Sequence, residues 1–171
     1  MISEITISPK YVWLTSGTGE YWNQGTAMCM AKRSAGLENM FYIPVLNIEN
    51  TPFQILDRKE FLEKSDKNKS VYSYGTIQYG KLGDRLMGSI SAISTESWGG
   101  ISYNFRCGKP SENPQIRSEI SSIRQVISDY ERMVDQQSPK PVTISSDKSC
   151  NEDKDYSLIV VAMIIGDMKN A

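Results

Sequence analysis

The side chains available for chemistry are restricted in this 171-residue sequence, because it contains no histidine. This composition excludes Ser-His-Asp and Cys-His catalysis, a histidine general base and a histidine-ligated zinc site. Cys29, Cys107 and Cys150 have no metal-ligand spacing, and their odd number predicts reduced thiols and no bound metal. An enzyme with this sequence would have to use carboxylates, amides, tyrosine, lysine, cysteine or backbone groups.

Three short motifs could carry chemistry, but each has a simpler structural interpretation. The run Gly17-Thr18-Gly19 is similar to part of a phosphate-binding loop, yet no Gly-Lys-Ser/Thr follows it, so we expect a tight turn. Ser121-Ser122 and Ser145-Ser146 are candidate self-cleavage sites. Neither is expected to lie in the strained turn that drives cleavage, because the first pair falls within a predicted helix and the second within a polar edge segment.

Composition indicates one ordinary globular domain. Apolar residues make up 39% of the chain and charged residues 23%, as in typical globular proteins. The net charge of −1 gives no electrostatic reason to expect nucleic-acid binding. The longest apolar run, Leu158 to Ile165, is too short to span a bilayer, and no secretory leader is evident. We therefore expect a single cytoplasmic domain, residues 1–171, that binds neither nucleic acid nor a membrane.

The first half of the sequence predicts a strand, a helix and a β-rich segment. The strand is expected at residues 5–16 and a helix rich in small residues at 21–34, with Gly36 ending it. Residues 40–48 are β-rich. The charged segment 49–72 predicts an exposed excursion with one helical turn.

The second half predicts a meander of three strands, a long amphipathic helix and two further strands. Residues 135–154 are polar and predict a flexible segment that contains one edge strand. The last strand is almost entirely apolar, which indicates burial on both faces. The predicted elements are strands at 74–81, 86–95 and 101–107, a helix from its N-cap Asn113 to Val134, an edge strand at 142–146 and a central strand at 156–166.

The order of these elements predicts an α+β protein, a layered sandwich with a mostly antiparallel sheet flanked by helices. The segment Val12 to Ile48 resembles the front half of the pyruvoyl-dependent arginine decarboxylases, through the run 14–20, the small-residue helix, the segment 35–40 and the strand that ends at 45–48. The later elements match that family in order and spacing. The resemblance implies the family's fold, its assembly into trimers and a substrate pocket between adjacent subunits.

The resemblance also exposes the loss of the family's self-cleaving pair. In that family the second serine of a Ser-Ser or Thr-Ser pair attacks the preceding carbonyl, and the new N-terminus becomes a pyruvoyl cofactor. The matching residues here are Leu46 and Asn47, and Asn47 has neither a hydroxyl nor a thiol. The β-branched Ile48 hinders cyclisation of the Asn47 side chain onto its own carbonyl. We therefore predict an uncleaved chain without a cofactor.

Other positions that the resemblance marks as functional have also changed. The family's helix carboxylate falls at Cys29, its asparagine before the cleavage pair at Phe41, and its proton-donating glutamate at Asn104. The change at Cys29 removes the carboxylate that would hold a guanidinium group, so the resemblance no longer implies arginine as the ligand. We predict that the amides of Asn47 and Asn104 polarise a carbonyl and that Glu38 moves a proton. The predicted catalytic residues are Glu38, Asn47 and Asn104, and the predicted substrate-binding residues are Cys29, Phe41, Tyr103 and Trp98.

Three hypotheses about function remain open from the sequence. The first is a repurposed, homotrimeric biosynthetic enzyme, lyase- or cyclase-like, that acts on a small amine-type or aromatic metabolite. Condensation or cyclisation in specialised metabolism is the kind of step expected. The second is an inactive binding or regulatory subunit that pairs with an active paralogue. The third is a pyruvoyl-dependent amino-acid decarboxylase processed at another site, which predicts two chain fragments.

Overall fold

The computed structural model describes residues 5–65, 69–109 and 114–169. This part of the chain forms nine strands and three helices, with one mixed and one antiparallel sheet, so the prediction of an α+β protein is confirmed. In chain order the elements are β1 (Thr6–Tyr21), α1 (Gln24–Ser34), β2 (Ile43–Pro44), β3 (Asn47–Ile48), β4 (Gln54–Ile55), α2 (Arg58–Lys64), β5 (Val71–Gly80), β6 (Arg85–Ser94), β7 (Gly99–Gly108), α3 (Pro114–Val134), β8 (Val142–Ser149) and β9 (Asp155–Lys169).

The first sheet has the strand order β2-β5-β9-β1-β3, and β4 also pairs with β1. Strand β9 pairs antiparallel with both β1 and β5, whereas the two-residue strands β2, β3 and β4 add parallel pairs. Residues 156–165 of β9 are all buried. The prediction of a central strand covered on both faces is therefore confirmed.

The second sheet has the order β7-β6-β8 and is antiparallel throughout. Strand β8 lies at its edge, as predicted for residues 142–146. The predicted meander is wrong at its first step, because β5 pairs with β9 and not with β6. The turn at Gly83, which has a φ of 94°, instead carries the chain from one sheet to the other.

The main apolar core lies between the two sheets. A register shift between Pro9 and Tyr11 changes the alternation of β1, so that Ile7 and Val12 both reach this core. Strand β9 contributes its even-numbered side chains to the same core, and its odd-numbered ones to the opposite face. The residues between the sheets include Ile7, Val12, Leu14, Leu86, Ile90, Ile101, Leu158, Val160 and Ile164.

Helices α1 and α2 pack against the outer face of the first sheet, where Ala31, Ala35 and Phe61 are buried. Gly17 and Gly19 lie inside β1 and beneath α1, so the predicted tight turn at this run is wrong. A Cβ atom on Gly19 would lie 2.2 Å from the carbonyl oxygen of Ala27. The glycines are therefore required because the helix backbone approaches the strand closely.

Helix α3 packs against β6 and β7 on the outer face of the second sheet. Its predicted cap, Asn113, lies outside the described residues. The contact surface includes buried serine hydroxyls: Ser122 Oγ shares hydrogen bonds with Ser89 Oγ and with Ser91 Oγ, the latter at 2.9 Å. Polar groups as well as apolar packing therefore fix this helix on its sheet.

The excursion 49–72 is exposed only in part, because Phe53, Leu56 and Phe61 are buried. Helix α2 within it begins with a capping box, in which the Asp57 carboxylate accepts from the backbone N–H of Glu60 at 2.8 Å. Among the described helices, none has the length and apolar character needed to cross a membrane.

Candidate ligand pocket

A cavity of about 380 Å³ lies beside the second half of α1 and the loop that follows it. Its volume falls within the range of small-molecule sites, about 300–1,000 Å³. The wall combines thiol, thioether, aliphatic and charged groups. The lining residues are Cys29, Met30, Lys32, Arg33, Leu37, Glu38, Asn39, Met40 and Tyr42.

The end of α1 shapes this cavity. The N–H of Leu37 donates to the Lys32 carbonyl at 2.9 Å and the N–H of Gly36 to the Arg33 carbonyl at 3.0 Å, which is the Schellman pattern. Gly36 has a φ of 79°, so its predicted role as the residue that ends the helix is confirmed. Asn39 also has a positive φ, of 62°, and the loop then leads into Met40 and Tyr42. The loop therefore lies against the last turns of the helix and forms one wall of the open cavity.

Two cations and one carboxylate face this space. Arg33 Nε lies 3.5 Å from Glu38 Oε2, and both side chains are mostly exposed, so the ion pair contributes at most about 1 kcal/mol. Lys32 Nζ lies over the ring of Tyr42, 5.8 Å from its centroid. The carbonyls of Lys32 and Arg33 already accept backbone N–H donors, so the helix end does not need these side chains as donors.

The hydroxyl of Tyr42 is buried and has no hydrogen-bond partner among the described residues. Such a group costs about 1–3 kcal/mol until a partner satisfies it. Sequence reasoning did not select Tyr42, Lys32 or Arg33 as site residues. The available signal was that Lys32 and Arg33 follow Cys29 by three and four helical positions, which places them beside it.

The structure brings together two of the predicted site residues, Cys29 and Glu38, which both line the cavity. Phe41 is 95% exposed and borders a neighbouring cavity that shares Tyr42 with the first. Asn47 begins β3, opposite Thr6 of β1, and is not among the residues that line either cavity. Its predicted catalytic role stays a prediction.

Of the other three predicted residues, Tyr103 and Asn104 belong to β7 in the second sheet, and Trp98 ends the turn that precedes this strand. Trp98 is buried beneath α3, with its ring centroid 5.5 Å from that of Tyr130 in an edge-on arrangement. Asn104 also lies against α3, since its backbone carbonyl oxygen accepts a hydrogen bond from Ser118 Oγ at 3.0 Å. Its side-chain Oδ1 is buried and, within the described part of the chain, unpartnered. These two residues therefore lie on the opposite side of the two-sheet core from α1.

Tyr103 points to the other face of β7, where its ring meets that of Tyr74 edge-on at 5.3 Å. Burial raises the pKa of the Tyr74 hydroxyl, and the nearby Tyr103 and Asp129 raise it further. The alternation of β7 thus separates Tyr103 from Asn104. Within one chain the seven predicted residues do not form one site, and a pocket that unites them between subunits stays a prediction.

The cavity offers a thiol, a carboxylate, two cations and a phenol, and these groups can bind a polar ligand and move a proton. Among the described residues, no group of three or more cysteine, aspartate or glutamate side chains is arranged to hold a metal ion. No model of a known protein family matches the chain, and no curated protein matches it. The resemblance to the pyruvoyl-dependent arginine decarboxylases therefore rests on the residues named above.

Proposed function

We propose that this protein is a repurposed relative of the pyruvoyl-dependent arginine decarboxylases that does not process itself. Leu46-Asn47 at the cleavage position is the observation that carries this proposal. Leu46 lies in an exposed bend, and Asn47 follows it as the first residue of β3. Since neither side chain can attack the preceding carbonyl, the chain stays intact and any reaction proceeds without a pyruvoyl group.

The proposed assembly is a homotrimer, or a higher multiple, with ligand sites between subunits. Support comes from the segment that joins the cavity to the cleavage position. Its side chains Phe41, Ile43 and Leu46 are 95%, 45% and 80% exposed. Clustered exposed apolar side chains are typical of interaction surfaces. A second subunit that covered this segment would also complete the wall next to Tyr42.

The proposed reaction is a condensation, cyclisation or similar step on a small amine-type or aromatic metabolite. Met30, Leu37 and Met40 supply an apolar wall for the body of such a substrate. Glu38 lies at the same cavity and would take up or release the proton. Asn104 would have to reach the substrate from a neighbouring subunit, because within its own chain it faces α3.

A second candidate is a non-catalytic binding or regulatory subunit of an active paralogue. The pairing of Glu38 with Arg33 favours it, because the guanidinium competes with a substrate for the carboxylate that lines the cavity. Processing at another serine pair has less support. Ser122 lies inside α3 with its hydroxyl bonded to neighbouring serines, and Ser145-Ser146 lies inside β8.

Glu38→Gln tests the catalytic proposal, with Glu63→Gln on α2 as the matched control for loss of an exposed carboxylate. Each purified variant is incubated with a metabolite extract, and the extract is followed by untargeted mass spectrometry. We expect the wild-type and Glu63→Gln proteins to consume the same metabolite. Glu38→Gln should do so at least about a hundredfold more slowly, as expected for loss of a general acid or base.

Equal turnover by all three proteins would contradict the role of Glu38. If the wild type converts nothing, and a paralogue co-purifies with it, the non-catalytic candidate replaces the enzyme. Circular dichroism of each variant establishes that folding is retained.

A further inference from the structure

Cations outnumber carboxylates around the cavity. Arg33 and Glu38 face each other, but no carboxylate lies within ion-pair distance of Lys32 in the described parts of the chain. A third cation is close by, since Arg58 Nε donates to the carbonyl of Gly36 at 3.1 Å. The site therefore carries an excess of positive charge.

The wall of the cavity offers both a cation and apolar side chains. The Lys32 ammonium lies over the ring of Tyr42, and both residues line the cavity. The apolar groups Met30, Leu37 and Met40 complete the wall. A ligand that fits both parts has an anionic group at one end and an apolar body at the other.

We propose that this pocket selects a small ligand with a carboxylate or a similar anionic group, which Lys32 binds while Met30, Leu37 and Met40 contact the apolar body. This inference rests on the proposed function in taking the cavity as the ligand site, and it narrows the substrate class. An amine-type substrate would carry the anionic group in addition to its amine. The preference for an anion is the reverse of that of a pocket built to hold a guanidinium.

The test compares two probes that differ in the sign of their charge, phenylacetate and phenethylamine, by isothermal titration calorimetry on the full chain. We expect phenylacetate to bind at least about tenfold more tightly, the factor that corresponds to one hydrogen bond to a charged group. Lys32→Gln should remove that advantage, and Lys32→Arg should keep most of it. Lys64→Gln is the matched control, because Lys64 lies over the ring of Tyr11 at 5.3 Å and does not line the cavity.

The rate at which Cys29 is alkylated shows whether the probe binds in the cavity. Phenylacetate should slow alkylation of Cys29, which lines the cavity, and leave the rate at Cys107 on β7 unchanged. Tighter binding of phenethylamine, no binding of either probe, or equal losses in Lys32→Gln and Lys64→Gln would overturn the inference. If phenylacetate binds as expected but no metabolite is turned over, the catalytic proposal fails alone. If turnover depends on Glu38 but phenylacetate binds no more tightly than phenethylamine, this inference fails and the catalytic proposal stands.

Discussion

The three cysteines show how strongly the surroundings of a residue determine its chemistry. Cys29 and Cys107 are exposed, whereas Cys150 is only 2% exposed. The pKa of the Cys150 thiol is raised to about 12, mainly by burial, with smaller contributions from the nearby Asp84 and Cys107. The reason is that the thiolate loses its hydration when it is buried. Their positions in the sequence gave no basis for this distinction, since it depends on packing between distant segments.

This difference predicts selective alkylation by iodoacetamide near pH 8, close to the ordinary thiol pKa of about 8.5. In the folded protein we expect label at Cys29 and Cys107 and essentially none at Cys150. Peptide mass spectrometry measures the labelled fraction at each site. The same reaction in denaturant is the control and should label all three. Rapid labelling of Cys150 in the folded protein would contradict its burial.

The elements that could be predicted are those whose signal is local. The apolar stripe of α3 and the apolar run of β9 each specify an element by their own periodicity. The failures have long-range causes. The run Gly17–Gly19 belongs to a strand because α1 lies directly on it, and β5 leaves its sequence neighbour to pair with β9. In the cavity, Cys29 and Glu38 were selected through the resemblance, but the unpartnered Tyr42 hydroxyl depends on tertiary packing.

Gly19→Ala tests the close packing of α1 on β1. The added Cβ would lie 2.2 Å from the Ala27 carbonyl oxygen and 2.5 Å from the Ala31 nitrogen, so strand and helix must separate. We expect the free energy of unfolding to fall by about 1–3 kcal/mol or more. Urea denaturation measures it.

Gly25→Ala, in the first turn of the same helix, is the matched control. Its nearest neighbour would be Asn23 Oδ1 at 3.7 Å, which is an ordinary contact. The change should be neutral or stabilise the protein by up to about 1 kcal/mol. Equal destabilisation by the two substitutions would show that helix packing is not what requires Gly19.

Ser122→Ala tests the hydroxyl network between α3 and the second sheet. Ser122 Oγ bonds to Ser89 Oγ and Ser91 Oγ, and both partners are fully buried. Ser91 Oγ keeps a hydrogen bond to Thr143 Oγ1, whereas Ser89 Oγ loses its partner in the network, so the free energy of unfolding should fall by about 1–3 kcal/mol. Ser121→Ala is the neighbouring control, because Ser121 bonds only to the exposed Arg106 among the described residues, at 3.3 Å. That change should alter the free energy of unfolding by no more than about 0.5 kcal/mol. Urea denaturation measures both variants, and equal losses of stability would argue against the network.

At the scale of the whole molecule, one largely exposed stretch of chain joins the candidate ligand site to the position proposed to match the family's cleavage pair. Along the chain, the cavity beside α1 is followed by the segment with the exposed apolar side chains Phe41, Ile43 and Leu46. The start of β3 comes directly after this segment. In the proposed assembly a neighbouring subunit covers this stretch and contributes to the site. The proposal therefore links the intact backbone at Leu46-Asn47 to the oligomeric state.

Intact-protein mass spectrometry of the purified chain, first denatured and then native, tests both parts of the proposal most directly. We predict one denatured mass that matches the uncleaved polypeptide, and a native mass three times as large or a multiple of that. Two fragments, the larger without a normal amino terminus, would show that self-processing survives and would contradict the account of Leu46-Asn47. A native monomer would contradict the proposed site between subunits.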